Sequence, residues 1–107
     1  MKVEILAAAE AELAEAVAYY NEQSEGLGYE FAAEVKQTIA RIIRFPEAWA
    51  MLSPRTRRCR TKRFPYALIY QVRDDSILII AVMHLRRHPD TRRSRLGLAE
   101  ATHRAAS

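Results

Sequence analysis

The sequence predicts an α+β domain in which a hairpin of two helices covers one face of a small antiparallel sheet, in the order β-α-α-β-β-β. Two long amphipathic stretches with helical periodicity occupy the first half of the chain. The second half contains two short apolar runs, rich in β-branched and aromatic residues, on either side of Asp74-Asp75. An amphipathic helical pair and a half-apolar sheet bury their apolar surfaces by packing in two layers.

The first element is a short strand over residues 1–6, where apolar and polar side chains alternate. From about Ala8 the period becomes helical, with an apolar stripe at i, i+3, i+4 and i+7. That stripe is Leu13, Ala16, Val17 and Tyr20. After a turn within residues 21–28, a second helix ends before Pro46, because the residue that precedes a proline is disfavoured in helical conformation. The stripe of the second helix is Leu27, Phe31, Val35, Ile39, Ile42 and Ile43.

Two segments separate the second helix from the apolar runs. We interpret residues 46–54 as a connection in which Trp49 and Met51 pack under the sheet edge. Residues 59–64 form a third extended segment that carries several basic side chains. The domain therefore begins and ends with strands and has its helices between them.

A β-hairpin is predicted to close at Asp74-Asp75, because aspartate tolerates the positive φ of tight turns. Its strands are residues 67–73 and 76–84. A two-residue turn places Leu68 opposite Ala81 and Pro65 opposite His84. Alternation then gives one apolar face, for the helices to cover, and one mixed face with incomplete cover. The apolar face is Leu68, Tyr70, Val72, Ile77, Ile79, Ala81 and Met83. The mixed face is Ala67, Ile69, Gln71, Arg73, Ser76, Leu78, Ile80, Val82 and His84.

The charge is distributed unevenly along the 107 residues, a length that suits one domain. Residues 1–54 hold four basic and nine acidic side chains, whereas the remainder holds thirteen basic and four acidic ones. This asymmetry predicts a basic working surface in the second half, suited to nucleic acid or an acidic protein. Cys59 is the only cysteine, which excludes an intrachain disulfide and favours a reducing compartment. No apolar run is long enough for a membrane helix, and Glu4, Glu10 and Glu12 interrupt any signal-peptide core. We therefore expect a cytoplasmic protein.

Several kinds of chemical site are excluded by the residues that are absent. The sequence has no glycine-rich phosphate loop, no pair of catalytic carboxylates and no cluster at metal-ligand spacing. His84 and His88 lie four residues apart, but Pro89 follows and a strand exit is not a helix. We therefore predict neither a metal site nor a cofactor.

A basic and partly aromatic group is the strongest candidate for function. Its members are Arg60, Lys62, Arg63, Tyr66, His84, Arg86 and Arg87. Cationic side chains hold phosphates and stabilise charge that develops on them, and an imidazole exchanges protons near neutral pH. Metal-free RNA cleavage with His84 as the catalytic group is one interpretation. Electrostatic docking of an acidic protein is the other, and spacing alone does not choose between them.

The mixed face of the hairpin is a second candidate, as the binding site for a partner. Incompletely covered apolar patches usually mark binding sites. We predict that an acidic and apolar partner segment docks on this face or along the exposed sheet edge, adding a helix or a strand. The residues that we expect it to contact are Ile69, Leu78, Ile80 and Val82.

An ordered set of short motifs resembles the RelE/ParE superfamily of type II toxin–antitoxin toxins, also called plasmid stabilisation proteins. In the first half the motifs are Glu12-Leu13, Tyr19-Tyr20, Leu27-Gly28 and Phe31. In the second half they are Phe64-Pro65-Tyr66, Ile69-Tyr70, Ile80-Ala81-Val82 and His84-x-Arg86-Arg87-x-Pro89. The resemblance covers residues 1–92 as a toxin domain and leaves residues 93–107 as a basic tail, which is either a short helix or frayed.

The resemblance implies a bacterial growth inhibitor that a cognate antitoxin neutralises within a hetero-oligomeric complex. RelE-like members cleave messenger RNA on the ribosome, whereas ParE-like members poison DNA gyrase without nuclease activity. The long helical hairpin, with its Tyr-Tyr and Leu-Gly motifs, is more similar to ParE. The resemblance also allows a degenerate toxin that serves as a decoy for antitoxin.

Overall fold

The computed structural model describes residues 1–86, which form seven elements. These are β1 (Lys2–Ile5), α1 (Ala7–Gln23), α2 (Leu27–Arg44), β2 (Ala50–Ser53), β3 (Thr56–Arg60), β4 (Tyr66–Val72) and β5 (Ser76–His84). The strands form one sheet in the order β1-β5-β4-β3-β2. The α+β class and the helical hairpin are confirmed. The sheet is mixed, because β1 runs parallel to β5 and no hairpin turn sets its direction.

The helix stripes and one face of the sheet share a single core, as predicted. From α2, Phe31, Val35 and Ile42 are buried, and Ile39 packs against the same cluster. The sheet contributes Cys59, Tyr66, Leu68, Tyr70, Ile77, Ile79 and Val82. The predicted stripe residue Ile43 is instead partly exposed. We call this cluster the helix-side core.

The connection predicted over residues 46–54 contains a strand, β2, and that part of the prediction is wrong. Pro54-Arg55 forms the turn between β2 and β3, and the hydroxyls of Ser53 and Thr56 lie 2.6 Å apart beside it. Trp49 packs against the helix-side core, as expected. Met51 does not pack against this core. It belongs to an edge strand, and its side chain projects into solvent and is 57% exposed.

The third extended segment also starts and ends earlier than predicted. β3 runs from Thr56 to Arg60, not over residues 59–64. It ends because Thr61 closes a turn: its hydroxyl lies 2.7 Å from the carbonyl oxygen of Phe64 and 3.2 Å from that of Tyr66. Lys62 therefore belongs to a tight connection between β3 and β4.

The hairpin forms at Asp74-Asp75, with Val72 opposite Ile77 and Tyr70 opposite Ile79 as predicted. Beyond that point a bulge at Ile80 shifts the pairing by one residue. Leu68 consequently pairs with Val82 rather than with Ala81, and Tyr66, not Pro65, lies opposite His84. The predicted register is wrong at this end of the hairpin.

A contact with α1 accompanies the bulge. β1 covers its side of β5 only as far as Ile79, so the edge of β5 is open beyond that residue. The Glu12 carboxylate, on α1, lies beside this open edge and accepts the N–H of Val82 at 3.0 Å. A carboxylate thus replaces a strand partner where β1 ends, which satisfies a backbone donor that burial would otherwise leave unpaired.

The bulge exchanges the two faces of β5 beyond Ile80. Val82 joins the helix-side core, and Ala81 joins a second cluster on the other face; both were predicted the other way round. By the same alternation, Met83 lies on the second face and His84 on the helix side. The second cluster consists of Ile69, Leu78, Ile80 and Ala81, against which Leu6 and Leu52 pack.

The expected incomplete cover of the mixed face is also wrong. None of Ile69, Leu78 and Ile80 is more than 6% exposed, and Val82 is equally buried among the helices. Their assignment to a partner-binding site was based on exposure, and it stays a prediction without that support.

Some predictions fall outside the described part of the chain. They concern Arg87, His88, Pro89 and the tail over residues 93–107. Within residues 1–86, neither helix is long and apolar enough to cross a membrane.

Candidate functional site

A basic cleft lies at the end of the sheet where β3, the β3–β4 turn and the exit of β5 meet. Its volume is about 860 Å³. Five cationic side chains line it: Arg58, Arg60, Lys62, Arg63 and Arg86. The remaining lining residues are Thr61, Phe64, Pro65, His84 and Leu85, so within residues 1–86 no carboxylate contributes to the wall. We use the term basic cleft for these ten residues.

Strand alternation places the first two cations. Cys59 is buried in the helix-side core, so its neighbours Arg58 and Arg60 lie on the opposite face of β3. They pair with Ile69 and Ala67 of β4. Arg58 was missed because the predicted segment began at Cys59. Its spacing of two residues from Arg60 is the signal that would have identified it.

Contacts from α2 fix the backbone at the cleft. Arg41 donates to the Arg60 carbonyl oxygen at 3.0 Å, and the Lys62 N–H donates to the Glu34 carboxylate at 2.9 Å. Glu34 is buried, so this hydrogen bond is shielded from water. Side chains of α2 therefore hold the main chain of the basic turn and leave the side chains of Arg60 and Lys62 to the cleft.

Arg63 differs from the other cations in the cleft, because it has an acidic partner. Its guanidinium lies 2.9 Å from the Glu30 carboxylate, and both side chains are more than half exposed. It also lies over the Phe64 ring, with its Cζ 5.3 Å from the ring centroid. Exposed ion pairs of this kind contribute little to stability, about 0–1 kcal/mol. A stronger anionic ligand can therefore displace Glu30 at low cost.

The exit of β5 is tied to the same turn. The Leu85 N–H donates to the Pro65 carbonyl oxygen at 2.9 Å. The Arg86 N–H donates to Nδ1 of His84 at 3.2 Å, so in this conformation Nδ1 is an acceptor and is already occupied. These contacts place His84 and Arg86 at one wall of the cleft.

His84 also lines a smaller cavity on the helix side, of about 210 Å³. The other lining residues are Glu12, Glu15, Ala16, Tyr19, Tyr66, Val82 and Met83. The Tyr66 ring meets the His84 ring edge-on, with centroids 5.2 Å apart. The imidazole thus separates a basic cleft from a cavity with two carboxylates in its lining.

Tyr66 itself is not part of the basic cleft, although it was predicted to belong to the functional basic surface. It is buried in an aromatic cluster with Tyr20, Phe31 and Phe64, whose centroids lie 4.7–6.1 Å apart where the rings pair. Because Phe64 belongs to the β3–β4 turn, this cluster packs that turn against the helices. Four of the predicted basic-surface residues, Arg60, Lys62, Arg63 and Arg86, do converge on the cleft.

The cleft has the properties of an anion-binding site. Apart from Arg63, none of its cations makes a side-chain contact with a carboxylate in the described chain. Unneutralised guanidinium groups bind phosphate and carboxylate through short, charge-assisted hydrogen bonds. Across residues 1–86, no group of three or more His, Cys, Asp or Glu side chains could hold a metal ion.

Comparison with known proteins adds a family match. Residues 3–89 match the family model described as the ParE toxin of the type II toxin–antitoxin system parDE. Among solved structures, the chain is similar to one titled as the chromosomal ParDE toxin–antitoxin system from P. aeruginosa. The TM-score is 0.70 at 14% identity, over 80% of this chain and 97% of that one. No curated protein sequence gives a match.

Proposed function

Since this chain belongs to the ParE toxin family of type II toxin–antitoxin systems, we propose that it slows bacterial growth by inhibiting DNA gyrase. The observation that carries the proposal is the family match, which spans both helices and all five strands. The basic cleft supports it as the surface that docks an acidic region of the target. Arginine is the residue type best suited to such docking, because its planar guanidinium binds carboxylates through two parallel hydrogen bonds.

One observation favours ribosome-dependent RNA cleavage as the alternative. His84 lies between the cationic wall and the cavity lined by Glu12 and Glu15, so groups for proton transfer and phosphate binding are neighbours. Against this role, Nδ1 of His84 already accepts a hydrogen bond from the Arg86 N–H. That hydrogen bond must break before Nδ1 can act as a base.

Substitutions at Arg86 and His84 separate the two activities. We expect Arg86→Ala to weaken gyrase inhibition by roughly 30-fold or more, the effect of removing an anchoring arginine from a protein interface. His84→Ala should change potency only modestly, because an inhibitor transfers no proton. Arg44→Ala is the matched control, since Arg44 is an exposed arginine of α2 that does not line the cleft.

The measurements are DNA supercoiling by purified gyrase and cleavage of ribosome-bound message, each with increasing toxin concentration. Inhibited supercoiling with intact message supports the proposal. If the wild-type chain cleaves message and His84→Ala abolishes this cleavage by the 10²–10⁴-fold typical of a lost acid or base, the ribonuclease function replaces it.

We further propose that the cognate antitoxin neutralises the chain through an acidic segment that enters the basic cleft. The apolar contacts predicted for this partner, Ile69, Leu78, Ile80 and Val82, are already buried. The cations of the cleft are therefore the part of the predicted site available for first contact. From the cleft, the segment can continue along the second face of the sheet beside Ile69, which pairs with Arg58.

Association of the two proteins should consequently slow as salt rises, because screening weakens attraction between exposed charges. We expect the association rate to fall by at least about tenfold between roughly 0.05 and roughly 0.5 M salt. Arg60→Ala should lower both the rate and its salt dependence, whereas Arg44→Ala should change neither. Stopped-flow mixing of the chain with its purified cognate antitoxin tests this. A rate independent of salt would contradict the proposal.

A further inference from the structure

A cavity of about 330 Å³ lies where β3 begins and β4 ends, at the opposite end of β3 from the turn that forms the basic cleft. Pockets of this volume are at the lower limit of those that hold small molecules. Its wall contains two guanidinium groups, one carboxylate, one amide and two apolar side chains. They belong to Arg55 and Arg57, Glu47, Gln71, and Pro54 and Val72. We use the term Gln71 cavity for the space that these six residues line.

Gln71 supplies a buried hydrogen-bond donor that has no acceptor. The residue is 2% exposed, and its amide nitrogen Nε2 makes no hydrogen bond within residues 1–86. The amide oxygen Oε1 faces Arg73, whose Nη2 lies 3.5 Å away. A guanidinium only donates, so exchange of the amide oxygen and nitrogen would bring two donors together and would not remove the problem. A buried donor without an acceptor is costly, and a ligand that accepts from it removes this cost.

An acceptor in the cavity can reach this donor with little rearrangement. Gln71 forms part of the cavity wall. The last torsion of a glutamine side chain is broad and is not confined to staggered positions. A small rotation of the amide therefore brings an N–H of Nε2 to a ligand, without a change in the backbone of β4.

Two guanidinium groups supply the positive charge of the cavity. Nη1 of Arg57 donates to the carbonyl oxygens of Glu47 and Trp49, each at 2.8 Å, and these contacts hold the side chain in place. Nε and Nη2 of Arg57 have no acceptor within residues 1–86 and remain accessible. Arg55 is exposed at the β2–β3 turn and makes no ion pair within the same residues. Both arginines can therefore donate to an anionic group.

Glu47 adds a negative charge to the same wall. It makes no ion pair with either arginine in the described part of the chain, so the opposite charges do not satisfy each other. The backbone beside it is anchored, because the Tyr70 hydroxyl donates to the Pro46 carbonyl oxygen at 2.7 Å. Burial raises the pKa of Tyr70 to about 12, so the hydroxyl keeps the proton that it donates. The cavity thus presents separate positive and negative groups to a ligand.

We propose that the Gln71 cavity binds a carboxylate with an N–H group beside it and a small apolar side chain, which is the chemistry of an apolar amino acid. The carboxylate accepts from the two guanidinium groups and from the amide. The N–H group faces Glu47, and the apolar side chain packs on Pro54 and Val72. Glu47 disfavours a dianion such as phosphate, because like charges repel. A free amino acid and the C-terminal residue of a peptide share this chemistry. The proposal is independent of gyrase inhibition.

NMR titration of the ¹⁵N-labelled chain with valine tests the proposal, because the side-chain amide of Gln71 gives its own signals. We expect these signals to shift with a Kd of roughly 0.1–10 mM, the range for so small a ligand. The side-chain signals of Gln37, an exposed residue of α2, should not move. N-acetylvaline, whose N–H is an amide, distinguishes the two sources. Tighter binding of valine identifies a free amino acid, and tighter binding of N-acetylvaline identifies a peptide end.

Two variants remove donors from the cavity. Arg55→Gln should weaken binding at least about tenfold, because it removes a charge-assisted hydrogen bond, whereas Arg44→Gln, outside the cavity, should not. Gln71→Leu should weaken binding by a similar factor without loss of stability, because an unsatisfied buried amide is replaced by an apolar group of similar size. Gln37→Leu is its control. Binding to these variants is followed at the backbone amide of Val72.

Glu47→Gln separates an amino-acid site from a general anion site. The substitution removes a charge that attracts the N–H group of the ligand and repels its carboxylate. We therefore expect valine and N-acetylvaline to bind at least about threefold more weakly relative to acetate, which has no N–H group.

Three outcomes would overturn the proposal. The first is that the Gln71 signals do not move with roughly 50 mM of either valine or N-acetylvaline, a concentration that fills even a weak site. The second is binding that Arg55→Gln and Gln71→Leu leave unchanged. The third is wild-type binding of acetate or inorganic phosphate as tight as that of both valine compounds, which would make the cavity a general anion site.

Discussion

Gly28→Ala should destabilise the domain by at least about 3 kcal/mol, at the upper end of the usual cost of overpacking. Gly28 lies in the first turn of α2, where α1 passes closest to it. A methyl group added there would lie 2.1 Å from the Val17 carbonyl oxygen and 2.7 Å from Cγ of Asn21. The nearest obstacle is helix backbone, which cannot rotate away as a side chain can. The two helices would have to separate.

Separation of the helices would also break a hydrogen bond that joins them. The Gly28 N–H donates to Oδ1 of Asn21 at 2.8 Å, and this contact satisfies one of the free donors at the start of α2. Loss of the bond and looser packing of the helix stripes therefore add to the cost.

Urea unfolding of both glycine variants measures the effect. Gly26→Ala is the control, because Gly26 has a φ of +84° but no atom within 4 Å of an added methyl group. It should cost only about 1–2 kcal/mol, from backbone strain in the left-handed region. If Gly28→Ala costs no more than Gly26→Ala, the close approach of the helices does not limit stability.

The sequence predicted those elements whose signals are local. The hairpin at Asp74-Asp75 combines a turn residue pair with two β-branched runs, and β5 was predicted with its observed bounds, Ser76–His84. The helix stripes were predicted because a period of 3.6 residues over four turns is unlike any strand pattern. These features depend on neighbours in the chain, which a sequence displays directly.

The bulge at Ile80 was not predictable from the hairpin alone. At the bulged end of β5, the Val82 N–H donates to the Glu12 carboxylate of α1. Glu12 lies 70 residues earlier in the chain, so a local sequence pattern does not reveal this contact. Alternation counted from the turn therefore places Val82 and His84 on the wrong face. The strand β2 was missed for a related reason. Ala-Met-Leu-Ser has weak β-propensity, and its pairing with β3 makes it a strand.

The candidate site shows the same division. Arg60, Lys62, Arg63 and Arg86 were predicted from composition, because a concentration of positive charge is visible in the sequence. The buried position of Tyr66 depends on rings from both helices and was not visible. Burial of the mixed face, at Ile69 and Ile80, could not be judged either, since cover is a property of the assembled fold.

Ile79→Ala should lower the free energy of unfolding by roughly 2–5 kcal/mol, the usual range for deletion of three buried carbons. Ile79 is 1% exposed and lies on the helix side of β5, opposite Tyr70 and in the same cluster as Phe31 and Val35 of α2. It comes just before the bulge, so its side chain belongs to the part of the hairpin whose register follows from the turn. The surrounding strands are paired on both sides of β5 and can collapse only slightly into the cavity.

Ile43→Ala provides the matched control, since it deletes the same atoms from a side chain that is 37% exposed on α2. It should cost about 1 kcal/mol or less, because water already reaches the group. Both variants are compared with wild type by urea unfolding at equal chain concentration. A cost below about 1 kcal/mol for Ile79→Ala would mean that α2 does not pack on this face of β5. A large cost at Ile79 together with a small one at Ile43 is the pattern that the helix-side core requires.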